Sequence, residues 1–585
     1  MNQRQPTTPI MFPAKSVRTS RTWSKGTWVA LIAPVAVFYI VFFVWPIVTV
    51  LIRSLSEDGR FDLNAPTFSL DAYFQLFQDD FLLRVEWRTL LLAINSTVIT
   101  ILLAFPTAYF ISRLQRRTAA LALLLILVPF WISIVVRLFA VTAILSPNGP
   151  INQASVALGG GQLNLLYSPA GTLVGTVMYL LPYMVLVLYS GMTAVDGNLL
   201  LAARTMGASS SRTFFSVYLP MIKSSLTSGA LLIFILGLGF FLVPAILGGP
   251  TEQTISVYIQ QQIDVFRWAT ASAMGILLLV ATVICYVGVV RLTGEFKTGV
   301  GAVQVKGVSG DQPFRWSIPM ILSAIVTFIT IAILVVPVLF VFPLSIGETG
   351  TVVFPPRGFT LKWYADVFTS STWLAPLWQS LVVGLGTGVL SAALGLVLAR
   401  LMQMMTSTAG KAIVSGLAFA PLITPAILLA IGEYDVQLRL GLTGTTTGLI
   451  LAHTVIAAPL AFAIITAALA GSDRGLEAAA WTLGVSRTRA FWTVVVRGII
   501  PAVVGAFAIS FVTSWDEVVL ALFLQTGPTK TLPVTIYKYL ESGIVPTVPA
   551  VASLLVTAVI VILVIRSVAS SIRRKTNPKR TQESR

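Results

Sequence analysis

The chain has 585 residues, 56% of them hydrophobic and only 10% charged, with a mean hydropathy of +0.88. A soluble globular protein carries about 25% charged residues, so this composition excludes a soluble enzyme; it also excludes disorder, which needs low hydrophobicity and high charge. The formal net charge of +17 then points to basic loops on one face of a membrane rather than to nucleic acid.

A helix crosses the hydrocarbon core in about 20 apolar residues. Cutting the chain at every Asp, Glu, Lys and Arg leaves twelve long charge-free runs: 26–52, 89–112, 118–136, 138–195, 224–251, 268–290, 316–347, 367–399, 412–432, 440–472, 498–515 and 542–565. The first is too long for the apolar core of a signal peptide and is read as a retained span. The fourth is interrupted by Ser146-Pro147-Asn148-Gly149-Pro150 and Gly159-Gly160-Gly161, which mark turns, so its span is expected near 170–192. The eleventh is short, and Val518–Leu524 prolongs it past an acidic pair. Strand-like alternation is absent, and each span is expected to be a helix that satisfies its own backbone in lipid. The predicted class is an all-α polytopic membrane protein.

Placing the N-terminus inside brings the C-terminus inside after twelve spans. Most Lys and Arg then fall on inside segments, as the positive-inside rule requires. Lys15, Arg18, Arg21 and Lys25 stand at the front, and Arg573, Arg574, Lys575, Lys579 and Arg580 at the back. Expected divisions are a cytoplasmic tail 1–26, a first half 27–293, a linker 294–315 rich in Gly and small residues, a second half 316–567 and a basic tail 568–585. Cys285 is the only cysteine, so no internal disulfide is possible.

The halves are related. At an offset of 277, ten of the 25 positions from Asp196 to Pro220 match those from Asp473 to Arg497, where about two would match by chance in this composition. Both copies lie between the fourth and fifth spans of their half and face the same side, which makes a parallel repeat. Each carries a pair of small residues, Ala202-Ala203 or Ala479-Ala480, and a Gly four positions on, Gly207 or Gly484. Small residues permit close approach by another protein, and the Gly ends a short helix. Two equivalent polar helix–turn–helix loops favour docking of a paired partner over mere lipid contact.

These loops resemble the EAA loops of ABC importer permeases, E-A-A-x-x-x-G followed by L-P. The first reads Leu201-Ala202-Ala203-Arg204-Thr205-Met206-Gly207 and ends Leu219-Pro220. The second reads Ala478-Ala479-Ala480-Trp481-Thr482-Leu483-Gly484 and keeps Pro501. Leu201 and Ala478 stand at the family's Glu position, with Glu477 one place early. Further residues narrow the resemblance. Pro129–Ala140, Asn148–Asn152 and Phe241–Gly249 look like one subunit of spermidine/putrescine permeases. Ala452-His453-Thr454, Pro459, Ser514–Val518 and Thr531–Tyr537 look like the companion subunit. The resemblance implies both subunits fused in one chain, with the type I importer permease fold. It implies two ATP-binding cassette subunits on the cytoplasmic face and a solute-binding protein on the outer face of a bacterial inner membrane. It implies a polyamine as substrate; permeases for ferric iron or thiamine share overlapping motifs. A gradient-driven secondary transporter is the alternative from another class, although it would not need the paired loops.

No G-x-x-x-x-G-K-[ST] is present, so ATP is expected to be bound by partner subunits and the chain to carry no cofactor of its own. Leu158-Gly-Gly-Gly-Gln162 imitates an ATPase signature on an outside loop and is read as coincidence. His453 is the only histidine, which excludes a multi-histidine metal site and any credible Ser-His-Asp arrangement. Its expected part is a hydrogen bond between helices rather than a proton relay. Asp516 and Glu517 lie about 25 Å along the eleventh span, in the outer part of the bilayer. Intramembrane charge is costly, and two readings stand. With Trp515 the pair attracts a cationic solute; alternatively it is an ion pair or cap, with Arg137 of the other half as a partner. Arg137 would repel a polycation, so a structural role is favoured there. Glu433, Asp435 and Asp264 are expected at the outer vestibule as solvated loop charges.

Overall fold

The computed structural model describes residues 25–57, 59, 68–250, 252–293, 316–543 and 545–576. The tails 1–24 and 577–585 and all of the expected linker, 294–315, lie outside the described residues. Among the described residues the chain is helical, with one isolated bridge, Ser56 to Phe68, and no named strand. Ten helices among the described residues are long and apolar enough to cross a membrane, and an eleventh if the bent pair Thr408–Ile423 and Ala426–Arg439 is one span. A shorter apolar stretch, Thr547–Ile562, lies in the last helix.

The duplication is visible in the helices themselves. Asp71–Gln78 and Asp80–Arg113 recur 291 residues later as Lys362–Thr369 and Ser371–Met404. Pro169–Thr193, Gly197–Thr205, Ser210–Thr213 and Leu242–Leu247 recur 277 residues later as Thr446–Ala470, Arg474–Thr482, Arg487–Ala490 and Val519–Leu524. The offset shortens where the first half carries the helix Pro150–Ala157 and the turn after it. That turn holds the Leu158-Gly-Gly-Gly-Gln162 string, with Gly159 at φ +81° and Leu158 fully in the open.

Two of the expected spans are not single rods. The run 118–136 breaks around Pro129: a helix Arg116–Leu127 is followed by a tight turn at Val128–Trp131, and a new helix runs Ile134–Leu145. Its counterpart breaks before Pro425, and its two arms meet at 100°. A proline disfavours helical backbone in the residue before it and removes an N–H, which explains both breaks. The second arms run on through charges that the charge-free criterion treats as span ends. Arg137 therefore sits inside a helix, 2% exposed. Glu433 and Asp435 were expected as solvated loop charges and are instead buried inside Ala426–Arg439. The reason is pairing: Gln437 donates to the Glu433 carboxylate at 3.0 Å, and Arg53 reaches Asp435 at 2.7 Å. Asp264 is the last residue of Ile255–Asp264 and is exposed, taking a hydrogen bond from Gln260 at 3.0 Å.

The halves interlock. The first span, Ile32–Ser54, lays its Trp45–Ser54 portion against Ala426–Arg439 of the second half. The approach is so close that a Cβ on Gly432 would strike the Pro46 backbone, which is how small residues bring membrane helices together. Reciprocally, Ile318–Ser345 of the second half packs on Asp80–Arg113 and Ile134–Leu145 of the first. Thr107 and Thr330 share a hydroxyl contact of 3.1 Å across that seam.

Candidate functional site

Each of the paired loops is built by local rules. Asp196 and Asp473 cap their helices by accepting from the backbone N–H of Asn198 (2.9 Å) and Gly475 (2.7 Å). Side-chain acceptors at this position satisfy N–H groups the helix leaves unpaired. At the other end the two helices close alike. Met206 N–H and Ala208 N–H donate to the carbonyls of Ala202 and Ala203, each at 3.0 Å; Leu483 and Val485 do the same to Ala479 and Ala480, each at 3.1 Å. The closure needs left-handed backbone, supplied by Gly207 at φ +87° and Gly484 at φ +84°. A second short helix, Ser210–Thr213 or Arg487–Ala490, then runs through a wide turn into the membrane helix that starts at Leu219 or Arg497. Pro220 lies exposed in the first turn of its helix, and Pro501 lies exposed in the second turn of the other.

The alanine pairs divide their faces. Ala203 and Ala480 are buried against the membrane helices, whereas Ala202 and Ala479 look outward. Leu201 is exposed as well. The largest outward features were missed by the sequence reasoning. Leu199, Met206 and Phe215 are exposed in the first loop, and Leu476, Leu483 and Trp492 occupy the same three positions in the second. Met206 and Leu483 are 81% and 83% exposed. The signal was present as large apolar residues repeated in an otherwise polar loop. An exposed apolar patch rimmed by polar groups marks an interaction surface.

Glu477 does not face outward. It is 6% exposed and forms a two-pronged pair with Arg400, at 2.5 and 3.2 Å. The Arg400 guanidinium also bonds Gln403 at 2.6 Å and lies 4.6 Å from the Phe491 ring centre. In the first half the equivalent ground is held by Leu200 and by Tyr109, Phe214 and Tyr218, whose rings meet edge-on or stacked. One loop is thus anchored to its membrane helix by charge and the other by aromatic packing.

The second constellation lies where the halves meet. Asp516 follows the end of Arg497–Trp515, and its Oδ1 accepts the backbone N–H of Ile134 at 2.5 Å. It thereby caps the restarted helix of the opposite half, where a negative charge is favoured. Its Oδ2 stands 3.8 Å from Arg137. Glu517 turns the other way: its two oxygens accept from Leu520 and Ala521 N–H, both at 3.0 Å, at the start of Val519–Leu524. His453 is fully buried; its Nδ1 meets Ser514 Oγ at 2.8 Å and its Nε2 lies 3.5 Å from Glu517. Ser514 continues to Thr387 at 3.3 Å. Trp515 stacks on Phe511 with ring centres 5.8 Å apart. Four residues singled out from sequence, Arg137, His453, Asp516 and Glu517, therefore gather at one level, in two separate contacts.

Comparison with known proteins agrees with this architecture. The model of the family described as "Binding-protein-dependent transport system inner membrane component" matches twice, at residues 88–294 and 391–577. The spermidine/putrescine transport system permease protein PotB of Escherichia coli (strain K12) is 31% identical over 216 residues, which is 36% of this chain and 78% of that protein. The corresponding permease protein PotC of Haemophilus influenzae is 26% identical over 221 residues, 38% of this chain and 84% of that protein. A chain of a bacterial alginate ABC transporter, solved with its alginate-bound periplasmic protein, aligns with 47% of this chain and 96% of its own length, at a TM-score of 0.40 and 19% identity. With the family matched in both of its halves, the chain belongs to the inner membrane components of binding-protein-dependent transport systems and is a multi-pass transport permease.

Proposed function

We propose that the chain forms the whole translocation pathway of an ATP-driven polyamine importer, with two ATPase subunits docked at residues 196–220 and 473–497. The observation that carries this reading is the pair of capped loops, each presenting three large apolar side chains at equivalent positions 277 residues apart. A two-fold partner needs two equivalent sockets, and a single chain here supplies both. The stoichiometry is then one permease chain to two ATPase copies. The loops and both termini face the cytoplasm by the distribution of Lys and Arg, and a solute-binding protein delivers cargo at the opposite face. ATP is bound by the partner subunits, not by this chain. The polyamine assignment is supported by the two relatives whose names specify spermidine and putrescine.

The test is purification from native membranes in mild detergent, comparing wild type with a Met206→Asp/Leu483→Asp double variant, followed by uptake of labelled putrescine and spermidine. ATPase subunits are expected with the wild type and not with the variant, whose altered side chains are exposed. Polyamine uptake that persists without any ATPase, driven by an ion gradient, would overturn the importer reading. ATPase capture without polyamine uptake would overturn the substrate and leave another small solute, such as ferric iron or thiamine.

A further inference from the structure

Each half places a short helix before its longest one. Asp71–Gln78 precedes Asp80–Arg113, and Lys362–Thr369 precedes Ser371–Met404. One extended residue, Asp79 or Ser370, separates the two and caps the longer helix with its side chain. The far ends of the long helices stand beside the paired loops: Arg113 lies 5.6 Å from the Tyr218 ring centre, and Arg400 holds Glu477. A helix of 34 residues is about 50 Å long, enough to cross a bilayer of about 40–45 Å, headgroups included. The short helices therefore lie at the membrane face opposite the loops. Each has three arcs. Leu76 and Val367 are buried, and on the same inward side Tyr73 and Tyr364 share hydroxyl contacts with Ser54 and Ser345, both at 2.7 Å. These contacts fix the roll of each helix. A second arc is polar and exposed, with Gln75 and Gln78 in one helix and Lys362 and Thr369 in the other. Between the two arcs Phe77 and Phe368 are 58% and 61% exposed. Leu70 and Leu361, seven residues earlier and so on the same side, are exposed as well. This apolar arc continues a surface that faces lipid. Leu83, Trp87 and Val98 are exposed along the first long helix, and Leu374, Trp378 and Val389, each 291 residues on, along the second. The two tryptophans lie about 10 Å from the helix starts, at the level where aromatic side chains mark the membrane–water boundary.

We infer that Asp71–Gln78 and Lys362–Thr369 are a pair of surface anchors that lie in the lipid leaflet opposite the paired loops, with Phe77 and Phe368 set below the headgroups. The partner of the apolar arc is lipid, at the boundary between headgroups and acyl chains. An apolar arc flanked by a packed arc and a polar one suits that boundary. The polar arcs carry opposite signs at equivalent positions, Asp71 in one helix and Lys362 in the other. Anchoring therefore works by apolar burial and has no need of an anionic lipid. Ser54 and Ser345 end the spans that cross to the opposite half, so the anchors hold both crossing spans at one depth.

The experiment uses the full-length chain in nanodiscs of phosphatidylcholine, with no other protein present. In a Cys285→Ala background a nitroxide is attached, one per sample, at Phe77→Cys or Phe368→Cys on the apolar arcs, or at Gln75→Cys or Lys362→Cys on the polar arcs. All four side chains are exposed, and thermal unfolding of each labelled protein is measured in parallel. Collision of the label with oxygen, which enters lipid, is compared with collision with a water-soluble nickel chelate. Labels at 77 and 368 are expected about 5–10 Å below the headgroups, and labels at 75 and 362 on the aqueous side. If the labels at 77 and 368 meet the nickel chelate as freely as those at 75 and 362, the arcs face water and the inference is overturned, leaving the surface to a protein partner. Immersion at all four positions overturns the interfacial orientation, and immersion in one half alone overturns the paired placement.

Discussion

Glu477 shows how far a single side chain's part depends on a neighbour the sequence does not announce. By position it belongs to the second of the paired loops, and its charge invites an external partner. The structure spends that charge on Arg400, 77 residues away, in a contact shielded from solvent. Removing one member of a buried pair leaves the other uncompensated, at about 3–5 kcal/mol. Glu477→Ala is therefore expected to lower the thermal unfolding midpoint of the purified protein and to loosen the second loop. Leu200→Ala, at the aromatic-packed equivalent, is expected to cost about 2–5 kcal/mol through lost burial and a cavity. Calorimetry in detergent on both variants checks the comparison. If Glu477→Ala leaves the midpoint unchanged, the pair is not an anchor.

At the scale of elements, the two loop helices are nine-residue pieces that lipid does not stabilise and that depend on their caps. Asp196→Ala and Asp473→Ala each remove an N-terminal acceptor, a change of about 1 kcal/mol. Faster amide exchange is expected over Gly197–Thr205 and Arg474–Thr482 respectively, with the membrane spans unaffected. Gly207→Val and Gly484→Val place a β-branched residue in left-handed backbone, where nothing crowds the side chain but the conformation itself is strained. ATPase co-purification is expected to fall in each single variant and to vanish in the double. These elements were legible in the sequence because Asp caps, paired alanines and a closing Gly act within a few residues of one another. The broken spans were not. Pro129 and Pro425 signal a break, but whether the chain ends a span there or restarts it as a buried helix depends on what the second arm meets.

At the scale of the molecule, each half reaches into the other through its first span. Trp45–Ser54 lies on Ala426–Arg439, and Ile318–Ser345 lies on Asp80–Arg113. Arg53 and Asp435 pin the first of these seams, with Arg53 also 4.7 Å from the Trp268 ring centre and Trp268 stacked on Tyr434 at 5.7 Å. Two polypeptides cut within 294–315 and co-expressed are expected to co-purify in detergent as a transport-competent pair, and Arg53→Leu is expected to weaken that association at least tenfold. Halves that separate freely on solubilisation would show that the seam contributes little beyond the covalent connection.

The amino-acid sequence by itself determined that the chain is helical and membrane-spanning, that it is duplicated, and that each half carries a short helix–turn–helix loop closed by Gly207 or Gly484. Lipid leaves the backbone no partner but itself, so apolar length reads directly as helix, and the loops are written in short-range capping chemistry. Only the tertiary structure decided which charges are spent and which stay available. Arg53 with Asp435, Arg137 with Asp516 and Arg400 with Glu477 each join residues distant in the chain. A charge in a low-dielectric interior is tolerated by what packs against it, and that neighbour is chosen by the crossing of helices rather than by spacing along the chain.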